Sequence, residues 1–314
     1  MSKISFILHG KHRGNTKLLS DIREAFNSSY EIVFHFTDFS RHAVELARQA
    51  ASDNSTYIIS AGGDGTMNEV ANGIMLSGNK NVKVGLLPHG TGNDFSKTIG
   101  ATNNPDELKK LIESDSIKEI DLGLVHFKNT EGKDESRYFI NITDVGLGGF
   151  IAQKLAGSSK LLGAFLTFQK AIITTFLSFK HKQAKTKADD FSYEGKILSY
   201  IIANGKYFGA GLGIAPDAKP DDGQFEIVLG AEISLWDYLM NLGKVRKCLK
   251  IDHPQMSYHT AKEILIETDE PLPIDMDGEF IGYSPMKVTV VPKALKFLCP
   301  LQNKKALHIS AKSF

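Results

Sequence analysis

Cysteine is nearly absent from this chain. Cys248 and Cys299 stand alone and in no metal-ligand spacing, which excludes a disulfide scaffold or a thiolate metal centre and leads us to expect buried thiols in a reducing compartment. Charge of one sign is missing as well. With 37 basic and 36 acidic residues the net charge is +1, so nucleic acid is not a bulk electrostatic partner and only local patches count. No internal repeat or low-complexity linker breaks the chain. The first ten residues hold one lysine and an apolar run too short for a secretory core, and they read better as a first strand; a cytoplasmic protein is expected. The most apolar stretch, Lys160 to Lys182, carries Gln169 and Lys170 in its middle, which argues against a membrane span.

What is present is a change of texture near Asp121. Up to that point strands and helices alternate: Ser5 to Leu8, Glu31 to Phe36, Tyr57 to Ala61 and Val82 to Leu87 read as strands. Thr16 to Phe26, Ser40 to Ala51 and Pro105 to Ser114 read as helices, the last with Asn104 as its cap and Pro105 in the first turn. Such alternation predicts an α/β domain with a helix-covered parallel sheet. Beyond Asp121, short alternating runs separated by polar turns predict a mainly antiparallel β-sandwich: Gly123 to Lys128, Arg137 to Thr143, Lys196 to Ala203, Gln224 to Gly230, Ile264 to Thr268, Lys287 to Val291 and Ala294 to Cys299. The expected division is 1–121, 122–300 and a tail, 301–314, that packs back on the first domain. The stretch from Lys160 to Lys182 is either a helix packed on the second domain or one that admits a lipid from a membrane surface, and both roles are compatible.

Two glycine-rich turns follow successive strands of the first domain. In Ser60-Ala61-Gly62-Gly63-Asp64-Gly65-Thr66-Met67-Asn68-Glu69 a carboxylate sits between a strand and a helix. Glycines there are expected to permit positive φ and close approach of an anion to the amides that start the helix. The second turn, Leu87-Pro88-His89-Gly90-Thr91-Gly92-Asn93-Asp94-Phe95, repeats that logic, and both lie at carboxyl ends of strands, where such sheets bind ligands. Either turn alone is compatible with a plain structural loop; in tandem they are specific.

Together they resemble the diacylglycerol kinase catalytic-domain family, which includes sphingosine and ceramide kinases and soluble bacterial lipid kinases. The resemblance continues in order through Ile120-Asp121-Leu122-Gly123, Tyr138-Phe139-Ile140-Asn141, Ala203-Asn204, Gly209-Ala210-Gly211, Ala215 to Gly223 and Asp275-Met276-Asp277-Gly278-Glu279, from about residue 3 to residue 299. It implies an NAD-kinase-like first domain that binds nucleotide, a β-rich second domain that binds lipid, and ATP with Mg2+ as phosphoryl donor and metal. It also implies nucleotide contacts at Gly10, Lys11, Gly14, Thr37, Gly62, Gly63, Asp64, Gly65, Thr66, Asn68, Thr91 and Asn93.

Glu279, Asp277 and Asp64 are the implied catalytic residues, with Glu279 favoured as proton acceptor. On an extended segment Asp277 and Glu279 would project toward one site; spacing alone favours a solvated turn in an acidic hairpin, Asp269 to Glu279, and the resemblance reverses that. Asp64 and Asp121 are expected around the catalytic magnesium, with a surface strand end the other reading of Asp121. A second, structural ion would be held by Asp222 and the carbonyls of Lys219 and Gln224, where an ordinary Asp-Gly turn is the alternative.

One segment departs from the family pattern. His9-Gly10-Lys11-His12-Arg13-Gly14-Asn15 keeps Gly14, lacks the usual Asn-Pro, and offers Lys11 or Arg13 as the cation for a terminal phosphate. The implied partner is a lipid such as diacylglycerol, met in passing contact with the inner face of the membrane; oligomeric state is open, a homodimer included. Two other functions remain compatible with the first turn or with the altered segment: an NAD kinase-like phosphotransferase, and a non-catalytic relative that senses nucleotide or lipid.

Overall fold

The structure, a computed structural model, describes residues 1–26, 29–156 and 164–300. The expected tail, 301–314, and the start of the apolar stretch, 160–163, lie outside the described residues. The first half runs β1 (Ser2–Leu8), α1 (Thr16–Phe26), β2 (Tyr30–Phe36), α2 (His42–Ser52), β3 (Tyr57–Ala61), α3 (Asp64–Ser77), β4 (Lys83–Leu86), α4 (Asp94–Ile99) and α5 (Pro105–Glu113). Asn104 caps α5 as expected, its side chain accepting from Asp106 N at 2.9 Å. Strands β2, β1, β3 and β4 lie side by side and parallel. β3 is buried along its whole length because helices cover both faces: α1 and α5 place Leu18, Ile22, Leu108 and Ile112 on one side, α2 and α3 place Ala43, Ala47, Val70 and Ile74 on the other.

The second half continues through β5 (Ile117–Lys128), β6 (Asp134–Phe139), β7 (Ile142–Gly146), α6 (Leu147–Leu155), α7 (Ala164–Phe176), β8 (Lys182–Ala188), β9 (Phe191–Ile197), β10 (Ser199–Ala203), β11 (Tyr207–Phe208) and β12 (Leu212–Gly213). It ends with β13 (Phe225–Gly230), α8 (Leu235–Arg246), β14 (Met256–Ala261), β15 (Glu263–Thr268), β16 (Pro273–Met276) and β17 (Glu279–Leu298). All its pairings but one are antiparallel, closing over a core that includes Val125, Phe139, Tyr200, Phe225, Ile264 and Val288. The exception is the end of β17, which returns to the first half and runs parallel to β4 through Lys296 and Phe297. What reads in sequence as two strands, 287–291 and 294–299, is this one strand, interrupted by a register shift between Val291 and Leu295. The expected strand 137–143 is two: β6 and β7 are separated at Ile140 and Asn141. α7 falls in the apolar stretch where a helix is expected, and no described helix is long and apolar enough to cross a membrane.

Gly62 and Gly63 of the first turn act by size, while Gly65 is unobstructed. Gly62, Gly63 and Gly65 all avoid positive φ, contrary to the expectation from sequence. A Cβ on Gly62 would stand 2.5 Å from Thr66 Oγ1, and one on Gly90 would stand 2.3 Å from Gly63 Cα, so the two turns pack main chain against main chain.

Helix packing sets a second such limit. A Cβ on Gly73 of α3 would lie 2.3 Å from Val44 O of α2, whereas Gly243 of α8 meets nothing within 4 Å. Gly243→Ala is therefore expected to stabilise the fold by up to about 1 kcal/mol through helix propensity. Gly73→Ala should cost about 1–3 kcal/mol by overpacking, and urea denaturation of both variants measures the opposite signs.

Candidate active site

Asp64 is the first residue of α3, and Gly63 before it offers no side-chain cap, so the first amides of this helix are open to an anion. Phe95 N donates to Asp64 Oδ1 at 3.1 Å, which draws the second turn onto the first. Burial and the nearby charge of Asp94 hold the Asp64 carboxyl above its usual range, against the main-chain donors. Asp94 is itself buried, paired with Lys97 at 2.7 Å, and accepts from Ala210 N in the second half at 2.8 Å. A Cβ on Gly92 would sit 3.1 Å from Asp64 Oδ2 and 3.4 Å from Asp94 Oδ2; the two carboxylates thus converge on a space that only glycine leaves open.

The other expected nucleotide contacts divide. Gly10 N donates to Thr37 Oγ1 at 2.9 Å, and Gly10 has no room for a Cβ against Thr37 O, so the first loop lies on the end of β2. Gly14 is unobstructed, Thr91 is exposed, and Thr66 is buried beneath Gly62. Arg13 is engaged with Asp38 at 2.5 Å and lies over the Phe36 ring, while Lys11 is exposed and forms no ion pair among the described residues. Asn93 spends its amide on its own turn, accepting from Gly90 N at 2.9 Å and donating to Gly90 O at 3.0 Å.

Asn68 departs most from expectation. Its side chain turns away from the glycine turn and donates to Tyr138 O at 2.8 Å and to Asp277 Oδ2 at 2.7 Å, so it belongs to the seam between the halves. One helical turn on, Asn72 also donates to Tyr138 O and accepts from Tyr138 N. Beside it, Glu69 accepts from Arg41 N and Ala43 N and thereby supplies the cap that α2 lacks on its own chain. Asn72, Glu69 and Asp94 were not singled out from sequence; Glu69 and Asp94 stood in the quoted turns, and Asn72 sits at i+4 from Asn68 on a buried helix face.

Asp277 and Glu279 are not on an extended segment. Both Asp277 and Gly278 have positive φ, 50° and 86°, and form the two-residue turn of the β16–β17 hairpin, a geometry that Asp-Gly favours. The turn separates the two carboxylates. Asp277 is half-buried, and its carboxylate accepts from Ile140 N, Asn141 N, Ile142 N and Asn68 Nδ2, all within 3.0 Å. Burial pushes it up to about 6 even so, and donors on both oxygens keep it ionised at neutral pH. Its acceptor positions are filled, so it shapes the site rather than taking a proton. Glu279 has a half-exposed side chain, 46%, and is held at one oxygen by the buried Arg137, whose Nη2 donates to Oε2 at 2.9 Å.

Asp121 is not a surface strand end. It is buried in β5, accepting from Gly223 N and Lys293 N, each at 2.7 Å, so it braces the 220–223 turn against the break in β17. That turn presents Lys219, Asp222 and Gln224 along one polar recess, and Asp222 is exposed. No group of three or more His, Cys, Asp or Glu side chains suited to a metal occurs among the described residues.

Behind the hairpin lies an acidic ladder. Asp275 pairs with Asp144 across β16 and β7, and both are buried. Burial pushes Asp144 up to about 7; burial with the charges of Asp144 and Asp277 raises Asp275 well above its usual range. Asp144 also marks the floor of an apolar cavity of about 100 Å³, lined by Leu147, Ile151, Leu198 and Val228 and roofed by Ile172 and Phe176 of α7 and Tyr238 and Val245 of α8.

Residues 3–125 match the diacylglycerol kinase catalytic domain, and residues 144–299 match the YegS C-terminal NAD kinase beta sandwich-like domain. The chain is 30% identical to a diacylglycerol kinase of Staphylococcus carnosus over 82% of its own length and 81% of that protein. It is 25% identical to a probable lipid kinase YegS-like of Alcanivorax borkumensis, over 95% of this chain and 97% of the other. The crystal structure of a diacylglycerol kinase from Bacillus anthracis superposes with a TM-score of 0.69 at 22% identity, over 95% of this chain and 97% of that one, a likeness that bears on the fold.

Two stability measurements test these assignments. Asp277→Asn sets an amide group against four donors and is expected to cost about 3 kcal/mol or more in urea denaturation, whereas Glu279→Gln should leave stability nearly unchanged. Asp144 holds its proton to a higher pH in the folded chain, about 7 against 3.8, so the stability it contributes falls as pH rises through that interval. Asp144→Asn should accordingly flatten the decline in melting temperature between those two pH values.

Proposed function

The chain belongs to the diacylglycerol kinase catalytic-domain family, and from that premise we propose that it transfers the γ-phosphoryl group of ATP to a hydroxyl of diacylglycerol or a related lipid. The observation that carries this reading is the span of β7. Ile142 N holds Asp277 beside α3, and Asp144, two residues along the same strand, floors the apolar cavity about 7 Å away. An anion-facing helix start and an apolar chain site therefore adjoin, as phosphorylation of a lipid headgroup requires.

The open amides at the start of α3 and the main chain of the 62–66 and 90–93 turns would hold the phosphates, with Lys11 the cation available beside them. Asp64 and Asp94, converging over Gly92, fit a divalent cation, and the Asp222 carboxylate with the Lys219 and Gln224 carbonyls forms an all-oxygen set suited to a second. Bound magnesium would supply charge neutralisation for the triphosphate. Glu279, with one oxygen fixed by Arg137 and the other open, is the group to take the proton from the lipid hydroxyl as it attacks phosphorus. Asp277 positions it by fixing the hairpin turn. The lipid would be met at the inner face of the membrane, where ATP is at hand.

Incubation with ATP and a total lipid extract, followed by mass spectrometry, should yield a phosphorylated diacylglycerol-type species. Asp64→Asn and Glu279→Gln should each lower kcat by a hundredfold or more, about the scale of a lost general base. Phosphorylation of NAD in a parallel reaction, with none of any lipid, would overturn the reading.

A further inference from the structure

The helices that roof the apolar cavity carry large apolar side chains on their outer faces too. On α8, Trp236 is 68% exposed and Met240 66%, with Leu239 beside them; on α7 and just after it, Ile173 and Leu177 are exposed. Trp236, Met240 and Gly243 recur at helical spacing, so they share a face opposite Tyr238, Leu242 and Val245, which face the cavity side. The two helices are fastened together from beneath. The rings of Phe176 and Tyr238 lie 5.6 Å apart, and Tyr238 OH donates to Gln169 Oε1 at 2.9 Å.

Charge around this face is one-sided. Lys170, Lys180, Lys244 and Lys247 are exposed and form no ion pairs among the described residues. The acid on α8, Asp237, is consumed by the capping box with Ser234 and lies 3.5 Å from His253. Apolar side chains ringed by lysines, in a chain whose total charge is nearly balanced, are what a negatively charged bilayer surface attracts, and a tryptophan is suited to its interfacial zone.

We propose that the outer faces of α7 and α8 dock on an anionic lipid bilayer, with Trp236 and Met240 entering the interface and the lysines against the headgroups. The inference rests on the lipid kinase reading, since it makes the roof of the cavity the surface through which the acceptor leaves the bilayer. Neither Trp236 nor Met240 lines that cavity, so docking and acceptor binding use different side chains of the same helix.

Trp236 is the only tryptophan of the chain, and its emission reports the event directly. Vesicles of phosphatidylglycerol and phosphatidylcholine should shift that emission to the blue and sediment the protein, with binding weakened by salt. The double variant Trp236→Ser, Met240→Ser should lose vesicle affinity by about tenfold or more, yet phosphorylate dispersed dioctanoylglycerol at the parental rate. Unshifted emission with vesicles, or sedimentation unaffected by the double variant, overturns docking. So does a concentration-dependent dimer that the variant abolishes, because the face would then join two copies. Absence of dioctanoylglycerol phosphorylation by the parental protein would instead overturn the kinase reading, and vesicle binding is scored independently of it.

Discussion

The Asp277 carboxylate is the tie on which the site depends. Its bonds reach three consecutive main-chain amides between β6 and β7 and one side chain on α3, so a single charge fixes the hairpin turn, the break between two strands and the helix that begins with Asp64. Ionised carboxylates accept stronger hydrogen bonds than neutral groups do, and here the donors are mostly main chain, which cannot rotate away. The Asn68 and Asn72 bonds to Tyr138, next to the Arg137 that holds Glu279, add a second tie between α3 and the hairpin.

Burying acids so closely is costly, and the cost falls beside the candidate site. Asp144 and Asp275 lie on two neighbouring strands and Asp277 in the turn that follows, and Asp275 keeps one oxygen without a hydrogen-bond partner. A fold selected for stability alone would place apolar side chains there. Glycines show the same priority by another route. At 63 and 90 they let two main-chain turns touch, at the expense of conformational entropy in the unfolded chain.

Much of this was legible in the sequence, because local signals and tertiary structure agree through most of the first half. α1 spans Thr16 to Phe26 as its periodicity predicts, and Asn104 and Pro105 mark the start of α5. The two glycine turns fall where a parallel sheet binds ligands, and they are in contact. Three things were hidden. Spacing suggests that Asp277 and Glu279 act together, but positive φ at 277 and 278 turns them to different partners, and only the Asp-Gly dipeptide hinted at it. Asn68 reads as part of the phosphate turn, yet its position one helical turn beyond Asp64 carries it to the other half of the molecule. Helix α8 shows no clean stripe, because apolar residues occupy both its cavity side and its outer side.

The return of β17 to the parallel sheet has a consequence for how the protein is made. β4 is bordered on one side by β3 and on the other only by Lys296 and Phe297 of β17, residues translated long after it. Until then the nascent first half carries an open strand edge, the kind of surface that pairs with other chains. Its sheet is finished by a strand of the second half, so the two halves are products of one folding event despite their different architectures. A truncation that spared every residue of the site but removed the end of β17 would leave that edge exposed.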